Sequence, residues 1–210
     1  LQKGKATYFK GVAYERYQIP EIMKRLGVSD ITTYVITNKP PALTSQNTFR
    51  IDKVPPLNGA NKEYIFMVDF PLNKGILKDA SIEEIKRNVQ NGSTLVILGG
   101  LCTLNKGEFQ DSLLKDIIPL NMSDPWAIEK LDAKEIFPGG QIQYIHKLIP
   151  ENKNEVISSI DGKALWISHK YGKGRVVVFL GMPCGKSPQG LFWESEKWPD
   201  YAAEIISGKL

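Results

Sequence analysis

The stretch from Tyr64 to Cys102 leaves few folds open to this chain. Tyr64 to Phe70 (YIFMVDF) is almost continuously apolar, as a strand covered on both faces must be. Thr94 to Leu98 (TLVIL) repeats that character. Between them Ile82, Ile85 and Val89 recur at helical spacing, Ser81 and Glu84 stand in the pattern of a capping box, and Asn91-Gly92 supplies a left-handed stop. A buried strand, a helix of this length and a second buried strand predict a parallel, right-handed crossover, and hence an α/β sheet.

The other segments build outward from that unit. Lys5 to Val12 and Ile31 to Thr37 read as strands. Ile19, Ile22, Met23 and Leu26 form a helical stripe between them, ending at Gly27. Residues 38–62 turn polar and proline-rich, with Pro40-Pro41 and Pro55-Pro56, which predicts a long loop or insertion. Ala164 to Ser168 and Arg175 to Leu180 flank Lys170-Tyr171-Gly172-Lys173-Gly174, the pattern of an antiparallel hairpin. Trp198 to Ile206 reads as a terminal helix with Tyr201, Ala202, Ile205 and Ile206 facing inward. With 210 residues and 42% apolar content, the expectation is one domain over residues 1–210.

Charge and motif content argue against several function classes. The formal charge of +4 is scattered from Lys3, Lys5 and Lys10 to Lys170 and Lys173, with acids between, whereas a nucleic-acid binder concentrates it on one face. No apolar run approaches the roughly 20 residues of a transmembrane helix. Gly100 to Gly107 lacks the Gly-Lys-Ser/Thr ending of a phosphate loop, and two cysteines with two distant histidines do not make a zinc site. No cofactor or metal is therefore expected. The chain opens at Leu1 rather than Met, as expected of a fragment or a mature form, which leaves open whether a targeting segment has been removed. Cytoplasmic and exported locations both stay open.

Four segments carry a resemblance: SIEEIKRNVQNGSTLVILGG, LLKDIIPL, YGKGRVVVFLGMP and LFWESEKWPDYAAEII. In this order they resemble the class I glutamine amidotransferase-like superfamily, in the bacterial branch near trehalose-utilisation-type domains and the sheet domains attached to von Willebrand-type modules. The likeness runs from about Tyr64 to the C-terminus, and the earlier residues fit by topology. It implies a flavodoxin-like, mostly parallel sheet with helices on both faces and a C-terminal antiparallel hairpin.

Working members of that superfamily carry a Cys at a strand-to-helix elbow, a His-x-Glu pair that activates it, and a glycine-rich oxyanion turn. This chain departs from the pattern. Cys102 is displaced by about one residue from Gly-x-Cys-x-Gly, and Thr103-Leu104-Asn105 brings no second glycine. No His-x-Glu occurs, and Asp69-Phe70-Pro71 stands where the oxyanion turn belongs. His146 is expected on a solvent-edge strand and His169 at the far end of the hairpin, so neither completes a triad.

The resemblance thus implies a non-catalytic binding or interaction domain of a larger bacterial protein. Its binding edge would comprise Asp69, Gly99, Gly100, Cys102, Asn105, Pro183 and Cys184. Its partner would be another domain of the parent protein or a small polar ligand. One alternative is a hydrolase or transferase acting on a small or sugar-like ligand through Cys102 or Asp69. Another is an oligomerisation domain, as in some sugar-hydrolase-associated relatives, which makes a homo-oligomer an expectation to test. The resemblance also brings the strand ends bearing Cys102 and Cys184 together. Within about 7 Å between α-carbons they would reach disulfide distance; two unrelated buried thiols is the other reading. Phe192, Trp193 and Trp198 read either as a sugar-facing platform or as a seal beneath the terminal helix.

Overall fold

The computed structural model describes residues 4–11, 14–35, 48–50, 63–72, 76–118, 120–122, 124, 126–151 and 155–210. Its frame is an eight-stranded sheet. Five strands lie in the first half of the chain: β1 (Gly4–Lys10), β2 (Val28–Val35), β3 (Thr48–Arg50), β4 (Tyr64–Val68) and β5 (Thr94–Leu98). After a long excursion come β6 (Leu120–Asn121), β7 (Ile128–Phe137), β8 (Gly140–His146), β9 (Ile149–Pro150), β10 (Glu155–Ile160), β11 (Lys163–Tyr171) and β12 (Gly174–Phe179). The sheet runs β10-β11-β12-β5-β4-β1-β2-β3, while β6 with β9 and β7 with β8 form two small antiparallel pairs. The six strands from β12 to β3 are mutually parallel, and β11 and β10 extend them antiparallel. Of the expected loop 38–62, residues 48–50 form β3, and the remainder lies outside the described residues.

Among the described residues, three α-helices complete the frame: α1 (Ile19–Arg25), α2 (Asp79–Gln90) and α3 (Trp198–Ser207). The stripe Ile82, Ile85 and Val89 of α2 is buried as its spacing requires. The expected capping box is a correction. Lys78 is the N-cap, and the Ser81 N–H already donates to the Lys78 carbonyl at 2.9 Å, so Ser81 lies inside the first turn. Leu95 to Leu98 and Val176 to Phe179 are buried along their whole lengths, which covers both faces of the central strands. Each such side chain removed from water contributes about 1.5–3 kcal/mol.

One aromatic group ties the C-terminal segment to the sheet. Phe179 lies 4.6 Å from Trp166 and 5.2 Å from Trp198, and Phe192 lies 4.6 Å from Trp198, by ring centroids. Phe192 and Trp198 are fully buried and Trp193 half-buried, so this set seals the core. Among the described residues no helix is long and apolar enough to cross a membrane.

From the centre of the sheet, β1–α1–β2 steps one way and β4–α2–β5 the other, so the order of connections reverses between β1 and β4. Ligands of open α/β sheets bind beyond the carboxyl ends of the strands at such a point. Here those ends carry Gly11, Asp69 and the Gly99-Gly100 turn.

Candidate functional site

Strand β4 ends one residue before Asp69, which bends the chain with φ +45° and is fully buried. The Asp69 N–H still donates to the Leu98 carbonyl at 3.1 Å, so backbone pairing with β5 carries past the strand end. Its carboxylate turns inward, and Oδ1 accepts the Cys102 N–H at 2.6 Å. Glycine makes this possible on two sides. A Cβ on Gly11 would lie 1.7 Å from the Asp69 carbonyl oxygen, and one on Gly100 would lie 2.2 Å from the Asp69 carboxyl carbon.

The Gly99-Gly100 turn is held from two further directions. The Tyr17 hydroxyl, fully buried, donates to the Gly99 carbonyl and lies 3.1 Å from that of Gly181. His146, at the end of β8, places Nε2 3.1 Å from the Gly100 carbonyl oxygen and 3.4 Å from the Gly100 nitrogen. The Nε2–H tautomer donates to the carbonyl, and the other accepts from the amide. The expected solvent-edge position of His146 is thus a correction. The outer strand of its hairpin is β7, and the His146 N–H bonds to the Leu180 carbonyl at 2.8 Å, which draws the ring under the elbow.

Electrostatics around the elbow oppose a reactive thiol. Burial pushes the Cys102 thiol above its usual range, the Asp69 carboxylate adds to this, and Lys106 only partly offsets it. The Cys184 thiol is also raised, chiefly by burial, with Arg16 pulling down and Asp69 pushing up. Burial drives the His146 imidazole down to about 4 against a weaker opposing bond to Gly100, so it is neutral at physiological pH. Tyr17 is raised well above its ordinary value by burial, then by Asp69 and Cys184.

A second correction concerns the chain just after Cys102. The resemblance implies a strand-to-helix elbow. Instead, residues 101–108 form turns, with Leu104 and Glu108 left-handed at φ +55° and +57°, and single 3₁₀ turns come next at Phe109–Asp111 and Leu113–Ile117. No α-helix N-terminus stands behind the thiol to lower its pKa.

Of the expected edge residues, Asp69, Gly99, Gly100 and Cys102 meet directly. Pro183 and Cys184 join them through the Tyr14–Tyr17 3₁₀ turn, where Arg16 Nη1 donates to the Pro183 carbonyl at 2.6 Å. Asn105 points elsewhere: its Nδ2 donates to the Asp124 carbonyl, and its buried Oδ1 has no hydrogen-bond partner. Both cysteines are free, half-buried thiols. Tyr17 and Arg16 escape sequence reasoning because their partners lie at Gly99 and beyond residue 180, a pairing no local pattern encodes. Among the described residues, no three His, Cys, Asp or Glu side chains are placed to hold a metal ion.

The fold and its edge define an α/β domain with a glycine turn locked from beneath. No protein-family model and no curated protein matches the chain. Among solved structures it is similar to the cytoplasmic protein STM1381 from Salmonella typhimurium LT2, with TM-score 0.69 and 14% identity over 97% of this chain and 98% of that one. It is similar also to the cytoplasmic protein STM3548 from Salmonella typhimurium, with TM-score 0.67 and 16% identity over 98% of each chain. A third likeness is to the beta-galactosidase of Rahnella sp. R3, with TM-score 0.54 and 14% identity over 99% of this chain but 31% of that one. At these identities the likeness is one of fold.

Proposed function

We propose that the chain is a non-catalytic domain of the class I glutamine amidotransferase-like type, acting by binding through the carboxyl edge around Asp69, Gly99 to Cys102 and Pro183 to Cys184. The strand order supports the flavodoxin-like assignment. Leaving aside the three-residue β3, the parallel strands run second, first, third, fourth, fifth across the sheet. The likeness to one part of a larger beta-galactosidase supports a unit that works beside other domains.

One observation carries the non-catalytic reading. His146 spends Nε2 on the Gly100 backbone, while burial, with the Asp69 carboxylate adding to it, raises the neighbouring Cys102 thiol rather than activating it. A thiol nucleophile needs a free base and a lowered pKa; here the His146 Nε2 is engaged by backbone and the thiol is raised. The test is alkylation of the native protein by iodoacetamide across pH, with labelled sites read by mass. Both thiols should react no faster than an ordinary free thiol near neutral pH, and faster only as pH rises toward 9. Rapid labelling of Cys102 at neutral pH would return the enzyme reading.

A further inference from the structure

The amino-terminal edge of the parallel strands, opposite the edge that carries Asp69, holds a cleft of about 530 Å³. Strand pairing builds it. Lys170 of β11 stands directly opposite Arg175 of β12, Arg175 opposite Thr94 of β5, and Glu155 of β10 opposite Ser168 of β11. Side chains alternate along a strand, so Ser168 and Lys170 share a face. Lys173, in the hairpin tip, joins them in lining the cleft.

Three observations at this cleft point to an anion from outside the chain. Lys170 and Arg175 are like charges directly opposite in an antiparallel pair, an arrangement that costs stability. Neither the Lys170 nor the Lys173 ammonium has an ion-pair or hydrogen-bond partner among the described residues, whereas Lys5, Lys86, Lys134, Lys147 and Lys163 are each paired with an acid. Ser168 is only 8% exposed, yet its hydroxyl bonds to no described residue, and it lines the cleft. A hydroxyl so enclosed calls for a partner. Arg175 is the fixed element, because its Nη2 donates to the Ile206 carbonyl at the end of α3.

We propose that this cleft binds a phosphate dianion carried on a small molecule. Among the described lining residues, three cations stand against the one acid Glu155, a surplus of two positive charges. That surplus matches the roughly −1.5 to −2 of a phosphate ester near neutral pH. Lys170 and Lys173 meet the phosphate oxygens as mobile point charges, and the Ser168 hydroxyl donates to one of them. A phosphate group fills only part of 530 Å³, a volume in the range of small-ligand sites, so room remains for the molecule that carries it. Glu155 works against a bare anion and favours one that also bears a hydroxyl or amine. The inference goes beyond the reading above, since it concerns the other edge of the sheet and depends on neither thiol.

The test titrates the full chain with glycerol 3-phosphate at constant ionic strength, followed by the amide resonances of Ser168, Lys170 and Lys173. These should shift saturably, with weaker binding of inorganic phosphate and none of glycerol. Lys170→Gln should weaken binding about tenfold. Without ligand the same variant should be at least as stable as the wild type, because the like-charge pair is gone. Ser168→Ala removes an unbonded hydroxyl and should also fold normally while weakening the ester several-fold. Lys130→Gln, exposed on β7, should change nothing. No saturable shift, or equal losses in the Lys170 and Lys130 variants, overturns the proposal. Inorganic phosphate binding as tightly as the ester overturns it too, by removing the carried molecule.

Discussion

Two glycine turns at opposite edges of the sheet are locked by different means. At the carboxyl edge, Gly99-Gly100 is gripped by the side chains of Tyr17, Asp69 and His146, all buried and all titratable. At the amino edge, Gly172-Lys173-Gly174 is gripped by backbone. The Lys173 N–H donates to the Gln90 carbonyl at 2.9 Å and the Arg175 N–H to that of Ser93 at 3.2 Å. The tip of the β11–β12 hairpin thereby closes the C-terminus of α2, while the Arg175 guanidinium reaches the last carbonyls of α3. The Gly-Lys-Gly-Arg signature is therefore explained by helix capping. Beside it, Lys170 and Lys173 line a cleft together with Glu155, Ser168 and Arg175.

The largest expected effect tests the backbone lock. A Cβ at Gly174 would lie 2.2 Å from the carbonyl oxygens of Val89 and Ser93, which cannot swing aside. Gly174→Ala should cost about 3 kcal/mol or more, with no dependence on pH, measured by urea unfolding. Gly100→Ala meets a side chain instead, the Asp69 carboxyl group. Its cost should shrink by about 1–2 kcal/mol in an Asp69→Gly background. Additive costs there would mean that Asp69 is not what confines Gly100.

The side-chain lock should fail with acid where the backbone lock does not. His146 sits at about 4 in the folded protein against an ordinary 6.5. The unfolded chain therefore takes up a proton first as pH falls. Stability from this residue is whole above about pH 6.5 and lost progressively toward pH 4, below which the loss levels off, at most about 3 kcal/mol in all. His146→Gln should abolish that slope between pH 6.5 and 4 while lowering stability at neutral pH. An unchanged slope in the variant would assign the acid response to other groups.

The two locks also differ in how far the sequence announces them. Thr94–Leu98 falls within the bounds its apolar run predicts, and the β11–β12 hairpin is marked by its glycines, because strand burial and turn chemistry are local. The β7–β8 and β10–β11 hairpins are absent from the sequence reading. Yet Asp161-Gly162, both at positive φ, is a strong hairpin signal, and Pro138-Gly139 marks the other turn. Without β7 as an outer strand, His146 is placed on the surface. Asp69 is legible as an acid at a strand end, but not as the partner of Cys102, since that contact depends on the register of β4 against β5 and on two distant glycines. Tyr17, whose acceptors are carbonyls far along the chain, is not legible at all.

The smallest expected effect falls back on the amino edge, at Arg175. Its half-buried guanidinium is the charged side chain that bonds within that lock, and burial holds its pKa below the ordinary value without neutralising it. Arg175→Gln removes the positive charge from the C-terminal end of α3 and should cost about 1 kcal/mol. Arg175→Lys retains the charge without the planar fork and should lose nearly as much, because a guanidinium Nη2 presents its hydrogens to the Ile205 and Ile206 carbonyls together. A lysine variant as stable as the wild type would make the helix dipole, rather than bond geometry, the source of the effect. In neither variant should thiol labelling change, since the edge that carries Asp69 and Cys102 is held by Tyr17 and His146 and owes nothing to the hairpin tip.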